Sequence, residues 1–187
     1  MQKFNETVKI TSYTIESVKE KDLGLKIYRK MVEDLNGFLK VDEGYKMETM
    51  DMFASESYLK ESKPDWMNYK SMDSLATFVR NDENQIVDIV ADPNNIPVNP
   101  RTFDAVFTVG SRFGYGQNHM SLPEICRILK PGGLLIVALS KYWFYHEFSQ
   151  LLLSYSFKYL RAIEICYSIV ESKIASAKYF TFSRFKG

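Results

Sequence analysis

Two stretches of this chain leave no face for water, and they decide what it can fold into. Leu134 to Leu139 (LLIVAL) is apolar at every position, and Phe103 to Val109 (FDAVFTV) at nearly every one. A strand with one wet face alternates apolar and polar residues, whereas a strand apolar on both faces belongs in a parallel sheet covered by helices. The segment between them fits that reading. Gly110, Gly114 and Gly116 form a Gly-rich crossing, and Ser121-Leu122-Pro123-Glu124 reads as a capping box with proline in the first helical turn. Lys130-Pro131-Gly132-Gly133 then stops the helix and returns the chain to the sheet.

The rest of the chain supplies more of the same units. Ala177 to Phe185 and Ala162 to Val170 alternate with period two and read as an antiparallel strand pair joined by Glu171 to Ser176. Tyr142 to Phe157 carries Phe144, Phe148, Leu151, Leu152 and Tyr155 at helical spacing. Lys21 to Leu35 is amphipathic, with Leu25, Tyr28, Val32 and Leu35 on one stripe. Met47 to Leu59 reads as a second helix, Tyr13 to Val18 as a strand before the first helix, Phe38 to Val41 as a short strand and Gln85 to Val90 as another. Residues 62–84 are the least patterned and read as an irregular insertion. The chain is then one domain, 1–187, with an N-terminal extension over 1–12. Alternating strands and helices of this order make a three-layer sandwich around a mostly parallel sheet.

Composition excludes several classes. At 187 residues the chain is long enough for one substantial core. Its net charge of +1, with both signs interspersed, gives no electrostatic footprint for nucleic acid or an anionic membrane. No apolar run approaches the roughly 18 residues of a membrane span. The N-terminus MQKFNETVKI lacks the apolar centre of a secretory signal, so a cytoplasmic protein is expected. Cys126 and Cys166 make neither a metal spacing nor a disulfide framework and are read as buried, reduced thiols. No metal site is expected.

Three features in combination resemble the class I S-adenosylmethionine (SAM) methyltransferases of the type-11 group. Ile89-Val90-Ala91-Asp92 through Ile96-Pro97, followed by Phe103-Asp104-Ala105-Val106, resembles the family's third strand, its adenine-facing acid and its fourth strand. Ile128-Leu129-Lys130-Pro131-Gly132-Gly133 is similar to the turn before the family's fifth strand, and the terminal strand pair resembles its sixth and seventh. The resemblance covers the chain from about Asp88 onward. It implies a class I methyltransferase-like α/β/α sandwich with a seven-stranded sheet ending in a C-terminal antiparallel pair.

It also implies a site. The family pattern D-x-G-x-G-x-G, counted back from the first amphipathic helix, falls on Val18 to Gly24, where only Gly24 matches. The acid that holds the ribose hydroxyls falls near Tyr45, with Asp42 and Glu43 close by, ahead of a helix carrying Met50 and Ala54. Asp92, followed by Pro93, takes the adenine amino group, with Asp73 the other candidate. Gly110 and Ser111 lie at the carboxyl edge, where open α/β sheets bind ligands. His119 is the candidate general base near that edge, and His146 reads as a helix-surface residue. The implied cofactor is SAM and the implied activity is methyl transfer to a small-molecule or protein acceptor. The alternative is a catalytically inactive binding or regulatory domain on the same scaffold.

Overall fold

The structure is a computed structural model that describes residues 10–18, 29–33, 35–37, 39, 42–54, 58–74, 87–108, 121–139, 157–169 and 175–184. Among the described residues, eight strands form one sheet: β1 (Ile10–Val18), β2 (Met47–Met52), β3 (Met67–Asp73), β4 (Ile89–Val90), β5 (Phe103–Thr108), β6 (Leu129–Leu139), β7 (Phe157–Ile169) and β8 (Ala175–Arg184). Their order across the sheet is β1-β7-β8-β6-β5-β2-β3-β4. Two helices are complete among the described residues, α1 (Tyr58–Ser62) and α2 (Leu122–Ile128). Residues 29–33 and 35–37 are also helical.

The expected seven-stranded three-layer sandwich is corrected. Its centre is a five-stranded, all-parallel run, β6-β5-β2-β3-β4, accompanied among the described residues by α1, α2 and the helical residues between 29 and 39. Beyond β6 the sheet continues through β8, which is antiparallel to both β6 and β7. The terminal pair does not end the sheet there, because β1 joins β7 in parallel and adds an eighth strand at the edge. The segment read as the family's first strand is therefore an edge addition.

Three further expectations fall with it. The helix expected over Met47 to Leu59 is replaced at Met47–Met52 by strand β2, in the middle of the sheet. Its burial explains the difference. Thr49, Met50, Asp51 and Met52 are all buried, so burial is continuous and the buried Thr and Asp break the apolar pattern a strand would show. Residues 62–84 contain β3, which pairs with β2 over six positions. Residue 39, expected in a short strand, is helical.

One face of the sheet packs on α2. Leu122, Ile125 and Ile128 stand at helical spacing and are fully buried against Met50, Met52, Met72, Phe103, Val106, Leu129, Leu135 and Val137. Each such side chain contributes about 1.5–3 kcal/mol by leaving water. The capping box does not form: Ser121 makes no side-chain cap bond, and Glu124 instead accepts the Ile96 N–H at 2.9 Å. Arg127 completes that link, donating to Val98 O at 2.7 Å, to Ile96 O at 2.8 Å and to both Glu124 oxygens at 2.8 Å. The Glu124–Arg127 pair thus ties the loop after β4 to α2. Arg127 draws the Glu124 carboxyl below its ordinary range.

The Lys130-Pro131-Gly132-Gly133 segment is part of β6 and bulges it. Phe103 pairs with Leu129, but Ala105 pairs with Leu134, so β6 spends extra residues there. Gly133 is required by close approach, since a Cβ would lie 2.9 Å from Lys130 O and 3.1 Å from Asp104 O. Lys130 Nζ meets both Asp104 oxygens at 2.9 Å, and Asp104 Oδ2 also accepts the Glu48 N–H at 2.9 Å. One acid therefore pins three strands, β2, β5 and β6, at their amino-terminal ends. Among the described residues, no helix is long and apolar enough to cross a membrane.

Candidate functional site

From β2 the chain moves outward to β3 and β4, then returns to the other side of β2 with β5 and continues to β6. The direction of travel reverses between β2 and β5. In open α/β sheets a crevice forms at such a switch point, outside the carboxyl ends of the strands, and ligands bind there. The residues at those ends are Asp51 and Met52 on β2, Met72 and Asp73 on β3, and Thr108 on β5.

The strand ladder groups the acids. Asp51 stands opposite Ser71 in the β2–β3 register. Tyr69 and Asp73, two residues to either side of Ser71, share its face because side chains alternate along a strand. Asp51 and Asp73 are 1% and 2% exposed. Asp51 Oδ2 accepts the Tyr69 hydroxyl at 3.0 Å, while Asp51 Oδ1 has no hydrogen-bond partner among the described residues. Asp73 Oδ1 accepts the Ser74 N–H at 2.7 Å, while its Oδ2 likewise has none among the described residues. Two carboxylates, each with one buried oxygen unmet among the described residues, thus sit side by side at the switch point.

Burial and the neighbouring Asp73 push the Asp51 carboxyl up to about 7, against the pull of the Tyr69 hydrogen bond. The Tyr69 phenol is pushed well above its ordinary value, first by burial and then by the Asp51 charge. The N–H and hydroxyl of Ser71 both donate to Asp88 Oδ2, at 2.7 and 2.9 Å.

Beyond β2 the backbone turns sharply. Phe53 has φ of 63°, a left-handed conformation that costs a residue with a Cβ about 1–2 kcal/mol. Its side chain packs against the core cluster and Ala54 is buried, with the Ala54 N–H donating to Met72 O at 3.2 Å. Strain of this kind, held by packing, recurs at ligand sites.

The structure places the residues expected from sequence at both ends of the sheet. Asp92 follows β4 at the carboxyl edge and is exposed; its Oδ1 accepts from the Asn94 N–H at 2.9 Å and Nδ2 at 3.1 Å, the geometry of a turn-forming acid. Pro93 follows it, half-buried. Tyr45 precedes β2 and is 46% exposed, with its phenol raised by partial burial and by Asp104 alongside. That puts it at the amino-terminal end of β2, about 20 Å of strand from Asp51. Gly24, Gly110, Ser111, His119 and His146 lie outside the described residues, as does the helix expected over Tyr142 to Phe157 except for Phe157, which opens strand β7 instead. Asp73, the other candidate acid, is brought to the switch point at the carboxyl end of β3. Asp51 is the residue that sequence reasoning misses; an acid closing a strand METMDM marks it only once that segment is read as a strand.

Similarity to known proteins agrees with this geometry. The chain superposes on a SAM-dependent methyltransferase of Aquifex aeolicus with a TM-score of 0.58 at 16% identity, covering 87% of this chain and 93% of that one. It superposes on a SAM-dependent methyltransferase of Methanosarcina mazei with a TM-score of 0.56 at 11% identity, covering 80% and 98%. A protein of Methanococcus maripaludis provisionally classed with the SAM-dependent methyltransferases gives 0.61 at 15% identity, covering 89% of both chains. At these identities the likeness is one of fold. No curated protein matches the chain in sequence. The profile of a methyltransferase domain family matches residues 57–137, which hold β3 to β5, α2 and most of β6. The family match thus covers the middle of the chain, and the fold is that of the class I SAM-dependent methyltransferases.

Proposed function

We propose that the switch-point crevice binds SAM and serves methyl transfer to a small-molecule or protein acceptor. The observation that carries this reading is the pair of buried carboxylate oxygens, Asp51 Oδ1 and Asp73 Oδ2, that no group among the described residues satisfies. A buried acceptor without a donor costs about 1–3 kcal/mol, and more when charged, so such groups persist where a ligand completes them. SAM carries the matching donors, a ribose diol and an ammonium group.

In this register Asp73 ends the second strand of the parallel run and takes the ribose hydroxyls, the role the family gives that acid. Asp51 ends the first and accepts from the ammonium group. Asp92 reaches the adenine amino group from the loop that Glu124 and Arg127 hold in place. When bound, the cofactor supplies an activated methyl group on a sulfonium. The chain's contribution is alignment and exclusion of water, which suffices for much of the rate of such a transfer.

One observation favours a second reading, a binding domain without catalysis. The family's D-x-G-x-G-x-G would fall on Asp51-Met52-Phe53-Ala54-Ser55-Glu56-Ser57, which contains no glycine. The left-handed backbone is kept at Phe53, but the side chains around it are larger than the family's. Thermal denaturation with millimolar SAM tests both readings. A Kd below about 100 μM adds over ~1 kcal/mol at ~1 mM ligand. No shift refutes cofactor binding, and a shift without methyl transfer to any acceptor favours the second reading.

A further inference from the structure

Tyr69 lies outside the family's motifs, yet it is the only described protein group that hydrogen-bonds the Asp51 carboxylate. We propose that Tyr69 is a positioning residue for the cationic amine of the ligand: its hydroxyl holds Asp51 Oδ2 and leaves Oδ1 for that amine. This rests on the SAM-binding reading above, and more narrowly on Asp51 being charged when ligand binds.

The geometry gives Tyr69 two tasks. It fixes the carboxylate: β2 and β3 are locked in register from Met47–Met67 to Met52–Met72, so the two side chains meet across one rung and its diagonal. It also stabilises the charged form, because a phenol donates to a carboxylate more strongly than to a neutral acid. The charged and titratable groups around Asp51 among the described residues are Tyr69 and Asp73 on β3, with Asp88 beyond Tyr69 before β4. From β5, the position opposite Asp51 is Phe107, which carries no charge. No cation balances the carboxylate from any of these strands, so the donor on Tyr69 and the amine of the ligand are what favour its ionised form. Asp51, raised by burial to about 7, changes charge within the working range of a binding assay.

Ligand binding is therefore linked to a proton through Asp51, and Tyr69 sets where. Removing one charge-assisted hydrogen bond raises a carboxyl by roughly one unit, which weakens binding about tenfold at about pH 6 and hardly at all at about pH 9. The experiment is calorimetric titration of SAM into the wild-type chain and Tyr69→Phe between those pH values. The ratio of the two affinities is the readout, since the ligand's own titration cancels in it. The expected ratio is about ten at the acidic end, falling toward one at the alkaline end. In the Asp51→Asn background, Tyr69→Phe is expected to leave the pH profile unchanged.

A ratio that is constant with pH, or equal to one throughout, overturns the positioning role while leaving SAM binding intact. Wild-type protein that binds no SAM at any pH overturns the reading and this inference together. A readout independent of ligand is NMR titration of the Asp51 carboxyl in the free protein. Its midpoint is expected to rise in Tyr69→Phe, and a midpoint that stays or falls refutes the role even if Tyr69→Phe binds weakly.

Discussion

Replacing Asp51 by asparagine should stabilise the free protein at alkaline pH, and the size of the effect follows from the site. Asp51 is 1% exposed and titrates at about 7 instead of the ordinary 3.8. The folded state therefore prefers the protonated acid. Its contribution to stability is fully present below about pH 4 and is lost progressively as pH rises through about 7. The gap of roughly three pH units corresponds to about 4 kcal/mol at ~1.36 kcal/mol per unit. The amide introduced by Asp51→Asn is neutral throughout and removes that slope, at a pH-independent cost of about 1 kcal/mol for an amide N–H left without an acceptor. Urea denaturation of both proteins at several pH values gives the difference directly, and titration of other groups cancels in it. The stability of Asp51→Asn relative to wild type should rise by up to ~4 kcal/mol between about pH 4 and about pH 8. A difference that is flat across that range, or that falls, would show that Asp51 is not a desolvated, uncompensated acid and would remove the main argument for a ligand there.

Four other outcomes follow from the same structure. At position 53 the usual preference inverts: Phe53→Gly should be about 1 kcal/mol more stable than Phe53→Ala, since only glycine adopts φ of 63° without cost, as chemical denaturation will show. Gly133→Ala should destabilise by about 1–3 kcal/mol in the same assay, because its Cβ meets two backbone carbonyls that cannot yield. Asp104→Ala should cost more in thermal unfolding than Lys130→Met, since the acid also holds the Glu48 N–H while the lysine sits in a partly exposed pair worth at most about 1 kcal/mol. Glu124, held below its ordinary range by Arg127, contributes stability that is lost as pH falls through its folded-state value, so Glu124→Gln should flatten the acid limb of the stability profile.

How much of this is legible in the sequence varies with position. Phe103–Thr108 and the Leu134–Leu139 part of β6 can be read directly, because continuous apolar runs have no stable alternative to a covered parallel sheet. Lys130-Pro131-Gly132-Gly133 can be read as the stop of α2, though not as a bulge within β6, since the register shift depends on Asp104 and the backbone of β5. Met47–Met52 is illegible for a physical reason: its interior polar residues are buried through interactions beyond the local sequence. Thr49 donates to Asn68 O at 3.1 Å, and Asp51 accepts from Tyr69, so burial there does not show as hydrophobicity. Reading β2 as a helix moves the whole front register. The ribose acid is then sought at Tyr45 and the loop at Val18 to Gly24, whereas the topology puts Asp73 and Asp51 to Ala54 at the switch point. Asp92 is found at the carboxyl edge because its strand, turn and following Phe-Asp pattern are contiguous in sequence.

The central claim is that Asp51 and Asp73 complete a cofactor site. Calorimetric titration of SAM and S-adenosylhomocysteine against wild type and Asp73→Asn, at about pH 8 where Asp51 is charged, tests it most directly. The account predicts saturable one-site binding to wild type and a loss of at least tenfold in affinity for Asp73→Asn, about 1.4 kcal/mol. Wild type that gives no binding heat at millimolar ligand, or Asp73→Asn that binds as tightly as wild type, would contradict it.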